Sequence, residues 1–179
     1  MILAHAGNRI DAPGRVPHRF PESHVPSVQH RLEMVLKKLA PGSVVTAAAS
    51  GSDLLLLAAA QQMSIDTHVV LPSPPADFRA SSVADQGATW AHRFDHVMLA
   101  ATSVTVDDTR HAKDPYVAGN ASILARAAAL ANESDEVVTA LVVRPEPNGS
   151  SPSVTDDFAL RATKLGYALI SVDPSTTQE

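Results

Sequence analysis

Four residues, Ser50-Gly51-Ser52-Asp53, separate a β-type run, "SVVTAAA" (43–49), from an Ala/Leu-rich helical run, "DLLLLAAAQQM" (53–63). Their types suit recognition of a phosphorylated ligand. Gly51 has no Cβ, so the backbone there can turn sharply and come close to another group. Unpaired N–H groups at a helix start carry the positive end of the helix dipole and suit a phosphate. Ser50 and Ser52 add hydroxyl donors. Asp53 repels a phosphate at contact distance, and fits better as a cap of its own helix or as an acceptor for sugar hydroxyls. The same four residues also make a plain capped helix start, since Ser and Asp are usual caps. Their spacing matches neither the G-x-G-x-x-G nor the Walker pattern.

Further candidates stand in the first loop, "GNRIDAPGRVPHRF", where Arg9, Arg15 and Arg19 fall close together behind Gly7. Arginines at the end of a strand are shaped for bidentate phosphate contacts, and a glycine directly after the strand permits close approach of a ligand to the backbone. The histidines offer less. His92 and His96 in "HRFDH" have the i, i+4 spacing of helical metal ligands, but the glutamate of H-E-x-x-H is missing. Since the same helix carries Trp90 and Phe94, expected in the core, we expect an ordinary surface pair and no metal site. His5, inside an apolar strand, is expected to be a satisfied core histidine. No G-x-S-x-G elbow occurs, and no Ser-His-Asp order can be argued.

Composition bounds what this chemistry serves. The chain of 179 residues suits one domain, 1–179, with a real core, and 45% hydrophobic content indicates an ordinary globular protein. A net charge of −5 argues against a general nucleic-acid surface. With no cysteine, disulfides and thiolate zinc sites are excluded. The N-terminal apolar run is too short for a signal peptide, and no stretch approaches the length of a membrane span, so the expectation is a cytoplasmic protein with no membrane partner.

The elements that must hold these residues alternate along the chain. Strands are expected at 2–7, 43–49, 67–72, 103–107, 136–144 and 167–173, and helices at 27–40, 53–63, 85–101, 116–132 and 155–165. Ser27 is the expected N-cap of the first helix, and "PSPPADF" is expected to be a Pro-rich turn. The strands are continuous apolar runs, as in a parallel sheet covered on both faces. The fold class is therefore α/β, a three-layer α/β/α Rossmann-like sandwich with a mostly parallel sheet of five or six strands. Ligands of such sheets bind outside the carboxyl ends of the strands. The loops leaving those ends, 7–26, 50–53, 72–84, 107–116 and 145–154, hold most of the unusual residues. The helical run 121–131 is apolar nearly all round, from which we expect a homodimer.

Several segments taken together, "GNRIDAPGR…HRFP", "AAASGSDLLLLAAA", "VVLPSPPADFRASSV", "WAHRFDHV" and "YVAGNASILARAAALA", resemble the SLOG superfamily of Rossmann-like domains. The likeness is to the type found beside bacterial nucleotide cyclases and conflict-system effectors. The Ser-Gly-Ser-Asp turn is similar to that of the DNA-processing protein A branch. LOG phosphoribohydrolases and nucleoside deoxyribosyltransferases are more distantly similar. The resemblance implies a pocket that binds or senses a nucleotide or nucleotide-derived small molecule, with no separate cofactor. Carried over residue by residue, it puts Gly7, Arg9 and Asp11 in one motif, Ser50, Gly51, Ser52 and Asp53 in a second, Ser82 in a third and Asn120 in a fourth. An enzyme of this kind would cleave an N-glycosidic bond, with Asp53 or Asp11 as base or as stabiliser of an oxocarbenium-like centre. The chain departs from the pattern in two places. Asn8 stands where a histidine usually follows the first glycine. The segment 145–157, with Ser150, Ser151, Pro152, Asp156 and Asp157, lacks the usual Gly-Gly-Thr loop, and this leaves as a further alternative a scaffold domain whose pocket has decayed.

Overall fold

The protein is described from a computed structural model, which covers residues 1–146 and 152–176. Among the described residues, six strands form one parallel sheet: β1 (Ile2–Gly7), β2 (Ser43–Thr46), β3 (Asp66–Leu71), β4 (Ser103–Val106), β5 (Val138–Val143) and β6 (Ala168–Val172). Their order across the sheet is β4-β3-β2-β1-β5-β6. The chain builds outward from β1 in one direction and then returns to its other side, so the order reverses between β1 and β5. Among the described residues, six α-helices accompany the sheet: α1 (Val25–Leu39), α2 (Ser52–Gln62), α3 (Pro75–Ser82), α4 (Ala88–Ala100), α5 (Pro115–Ser134) and α6 (Val154–Lys164).

Strand alternation divides the core in two. Leu3 of β1 and Leu141 and Val143 of β5 pack with α1, α2 and α4 on one face. Ile2, Ala4 and Ala6, with Val138, Ala140 and Val142, pack with α5 and α6 on the other. Successive side chains point to opposite faces, so a strand that is apolar throughout feeds both layers. Helix α2 lies so deep that Leu54, Leu55, Leu56 and Leu57 are all buried. Trp90 and Phe94 of α4 are core residues, and the buried indole donates to Glu22 at 3.3 Å. His92 and His96 lie exposed on the opposite side of that helix. Among the described residues no helix is long and apolar enough to cross a membrane.

Two element boundaries differ from expectation for a common reason. Helix α1 begins at Val25, before the expected cap Ser27, with Pro26 inside its first turn. Helix α3 occupies most of the expected Pro-rich turn, with Pro74 as N-cap and Pro75 as first residue. Proline lacks only the N–H that a first helical turn leaves unpaired, so in both places it opens a helix.

Candidate functional site

A cleft of about 630 Å³ opens at the carboxyl ends of β1, β2 and β3, beside the reversal in strand order. Its base is apolar, with Ala6, Ala47, Val70 and Ile123. Polar groups reach it from five segments: the loop after β1, the first turn of α2, the turn 84–86 between α3 and α4, the first turns of α5 and the start of α6. Six of the expected site residues line it: Gly7, Arg9, Asp11, Arg15, Asp53 and Asn120. Arg19 lines it too.

The other four expected residues form the structure behind that lining. Ser50 is fully buried and accepts a hydrogen bond from Arg9 Nε at 3.3 Å, while its backbone N–H donates to the Ser82 carbonyl at 3.0 Å. Gly51, at φ +116°, forms a single bridge with Arg9, and a Cβ there would lie 2.6 Å from the Asn8 carbonyl oxygen. The close approach this glycine permits is thus to the chain's own backbone. The Ser52 hydroxyl lies 3.2 Å from His5 Nε2, and the Ser52 N–H donates to the Asn8 carbonyl at 3.3 Å. Ser82 is buried, with its hydroxyl 3.3 Å from that of Tyr116. Gly7 has a reason of the same kind, since a side chain on it would overlap the Ser52 hydroxyl.

Asp53 is the second residue of α2, whose N-cap is Gly51. It is only 5% exposed. Its Oδ2 accepts from the Ala49 N–H at 3.2 Å, but Oδ1 has no hydrogen-bond donor among the described residues. His5 Nε2 lies 3.4 Å from that oxygen, and His5 Nδ1 lies 3.0 Å from the Leu141 carbonyl. Because a carbonyl only accepts, Nδ1 carries the hydrogen in the neutral ring, and Nε2 then accepts from Ser52. The ring therefore leaves Asp53 Oδ1 without a donor. A buried acceptor without a partner costs about 1–3 kcal/mol or more, and this one lies on the His5 side of the carboxylate, shielded from solvent.

Asp11, the other candidate carboxylate, is committed to its own loop. Its Oδ2 accepts from the backbone N–H groups of Arg19 at 2.8 Å and Phe20 at 3.0 Å, and Arg15 Nε lies 3.5 Å from Oδ1. It braces the long loop that carries the arginines. Asn120 is anchored as well, donating to the Val154 carbonyl at 2.8 Å and to Asp157 at 3.0 Å. Burial pushes the Asp157 carboxyl up, but the hydrogen bonds from Arg161 and Asn120 outweigh it and hold the group below the usual carboxylate range. Asn8 joins this side of the cleft to α6 by accepting from the Thr155 hydroxyl at 3.3 Å. Ser150 and Ser151 of the altered loop lie outside the described residues, whereas Pro152 lines the cleft. Asp156 completes a capping box with Ser153 and pairs with Arg144.

Asp85, Gln86, Tyr116 and Thr155 line the cleft without having been singled out from sequence. They come from separate segments, and no local pattern marks them. Gly119 faces the cleft from inside α5, where a Cβ would meet Pro72 Cβ at an ordinary 3.7 Å. Gly119→Ala is expected to raise stability by about 0.5–1 kcal/mol, because a helix interior favours alanine over glycine by that amount. A rise of about 1–4 °C in the thermal midpoint would register it.

No family model matches the chain, and no curated protein matches it. Among solved structures it is similar to the X-ray structure of DNA processing protein A from Streptococcus pneumoniae, at 17% identity and a TM-score of 0.40. The match covers 92% of this chain and 61% of that one, so the chain spans less than two thirds of that protein's length. The Rossmann-like assignment rests on the sheet itself: six parallel strands, helices on both faces, and a reversal of strand order beside the cleft.

Proposed function

We propose that the cleft binds a nucleotide or nucleotide-derived small molecule, as in the SLOG domains that the sequence resembles. The observation that carries this is a cleft at the carboxyl ends of the strands whose lining brings the nearly buried Asp53 carboxylate together with Arg9, Arg15 and Arg19. A sugar hydroxyl donates to the Asp53 carboxylate. Arg9, Arg15 and Arg19 on the same lining supply positive charge for a phosphate. The cleft's volume falls within the range of about 300–1,000 Å³ usual for small-molecule sites. The second reading, cleavage of an N-glycosidic bond, now rests on Asp53 alone, since both N–H bonds to Asp11 hold that residue in a bracing role.

The test is thermal unfolding against nucleoside monophosphates, ADP-ribose, cyclic ADP-ribose and cyclic dinucleotides. A ligand at 100 times its dissociation constant adds about 2.7 kcal/mol. At about 2–4 °C per kcal/mol for a chain of this size, that is a shift of about 5–10 °C. No shift across the panel would overturn the reading. Release of free base from a compound that does shift the midpoint would favour the enzyme.

A further inference from the structure

Asp85 has no role in the site as described so far, yet it holds the arginine best placed to meet an anion. Arg9 Nη2 lies 2.5 and 2.6 Å from the two Asp85 oxygens, so both converge on one nitrogen. Arg9 Nε is fixed by the buried Ser50, and Nη1 has no partner among the described residues. An anion arriving while Asp85 stays finds Nη1 alone. The two-nitrogen contact that makes an arginine an effective phosphate receptor requires Asp85 to leave.

Asp85 is free to leave in a way that Asp11 is not. Asp11 is nearly buried and pinned by two backbone N–H groups, whereas the Asp85 side chain is 40% exposed. Apart from Arg9, its one hydrogen-bond partner among the described residues is the side chain of the adjacent Gln86. It sits in a single 3-10 turn, Ala84–Gln86, and Gly87 follows at φ +103° with nothing within 4 Å of its Cβ position.

Resting on the nucleotide reading above, we infer that Asp85 competes with the ligand's phosphate for Arg9. The Arg9–Asp85 pair is a latch across the cleft mouth. A phosphate takes the guanidinium, and the turn at 84–86 is released as the ligand seats. The latch therefore discriminates by charge: a ligand without a phosphate leaves it closed, and one with a phosphate opens it.

Titration calorimetry of the parent protein and Asp85→Asn, with AMP, adenosine and inorganic phosphate at low ionic strength, tests this. The asparagine variant should bind AMP about three- to tenfold more tightly, with adenosine unchanged, because only the charged competitor has gone. In an Arg9→Gln background, where position 9 has no charge to compete for, the gain from the substitution at 85 should be lost. Equal or weaker AMP binding by Asp85→Asn overturns the latch and leaves nucleotide binding standing; weaker binding would make Asp85 a positioning residue for Arg9. If no nucleoside compound binds either protein, the nucleotide reading fails and inorganic phosphate decides the latch. Tighter phosphate binding by the variant supports it, and no gain overturns it.

Discussion

Gly51→Ala should cost about 2–6 kcal/mol, combining backbone strain with overpacking of about 1–3 kcal/mol each. Gly51 has φ +116° and ψ −135°, a region essentially closed to residues with a Cβ. The added carbon would lie 2.6 Å from Asn8 O, 2.8 Å from Ile10 N and 2.9 Å from Arg9 Cα. All three are backbone atoms, so no rotamer change relieves the clash. The loop after β1 must move away from the turn before α2, which breaks the hydrogen bond from Ile10 N–H to the Ser50 carbonyl. Gly87→Ala is the control: its φ is +103°, but nothing lies within 4 Å of its Cβ position. It should cost only the strain, about 1–3 kcal/mol. Urea unfolding of the two variants separates contact from conformation, and equal losses would show that the contact between the two loops contributes nothing.

Asp53→Asn should lower affinity for a nucleotide ligand about 10- to 100-fold, the worth of a hydrogen bond to a charged group. Its effect on stability should be under about 1 kcal/mol, and of either sign. The asparagine carbonyl can still accept from the Ala49 N–H, and its neutral amide replaces an oxygen that now has no donor. Removing an unpartnered buried charge offsets the loss of a carboxylate from the first turn of a helix, which is worth about 0.3–1 kcal/mol. Affinity and unfolding measured on the same preparation decide the matter. A variant that loses several kcal/mol of stability would make Asp53 a structural residue, and one that binds as tightly as the parent would remove it from the site.

The alternation of strands and helices could be read from the sequence because each buried strand is a short apolar run between turn residues. What could not be read was how local signals compete. Proline looks like a breaker at Pro26 and Pro75, but in a first helical turn it breaks nothing, so α1 starts early and α3 went unseen. Asp53 looks like a cap, but Gly51 holds that position and leaves the carboxylate two residues further on, in the first turn of α2. The rule that ligands sit at strand carboxyl ends pointed to the loops that form the lining, and the family resemblance added Asp11 and Asn120. Neither could show that Ser50, Ser52 and Gly51 turn inward, because that depends on the loop 8–10 lying against them. Nor could they reach Asp85, which meets Arg9 only through the packing of the segment between α3 and α4.

The strand order also fixes how the site is assembled. Strands β4, β3, β2 and β1 lie side by side in chain order, but β5 reaches β1 only by returning over a long stretch, with Leu141 beside His5 136 residues away. The cleft straddles that seam. The walls at 7–11 and 47–53 belong to the half built by neighbour-to-neighbour pairing, and the wall at 152–155 belongs to the half that closes the longest loop. A transient opening of β5, β6 and α6 would therefore erase the site while leaving the N-terminal sheet intact. A ligand that touches both walls acts as a clasp on the seam, so its affinity also measures how fully the last part of the chain has folded.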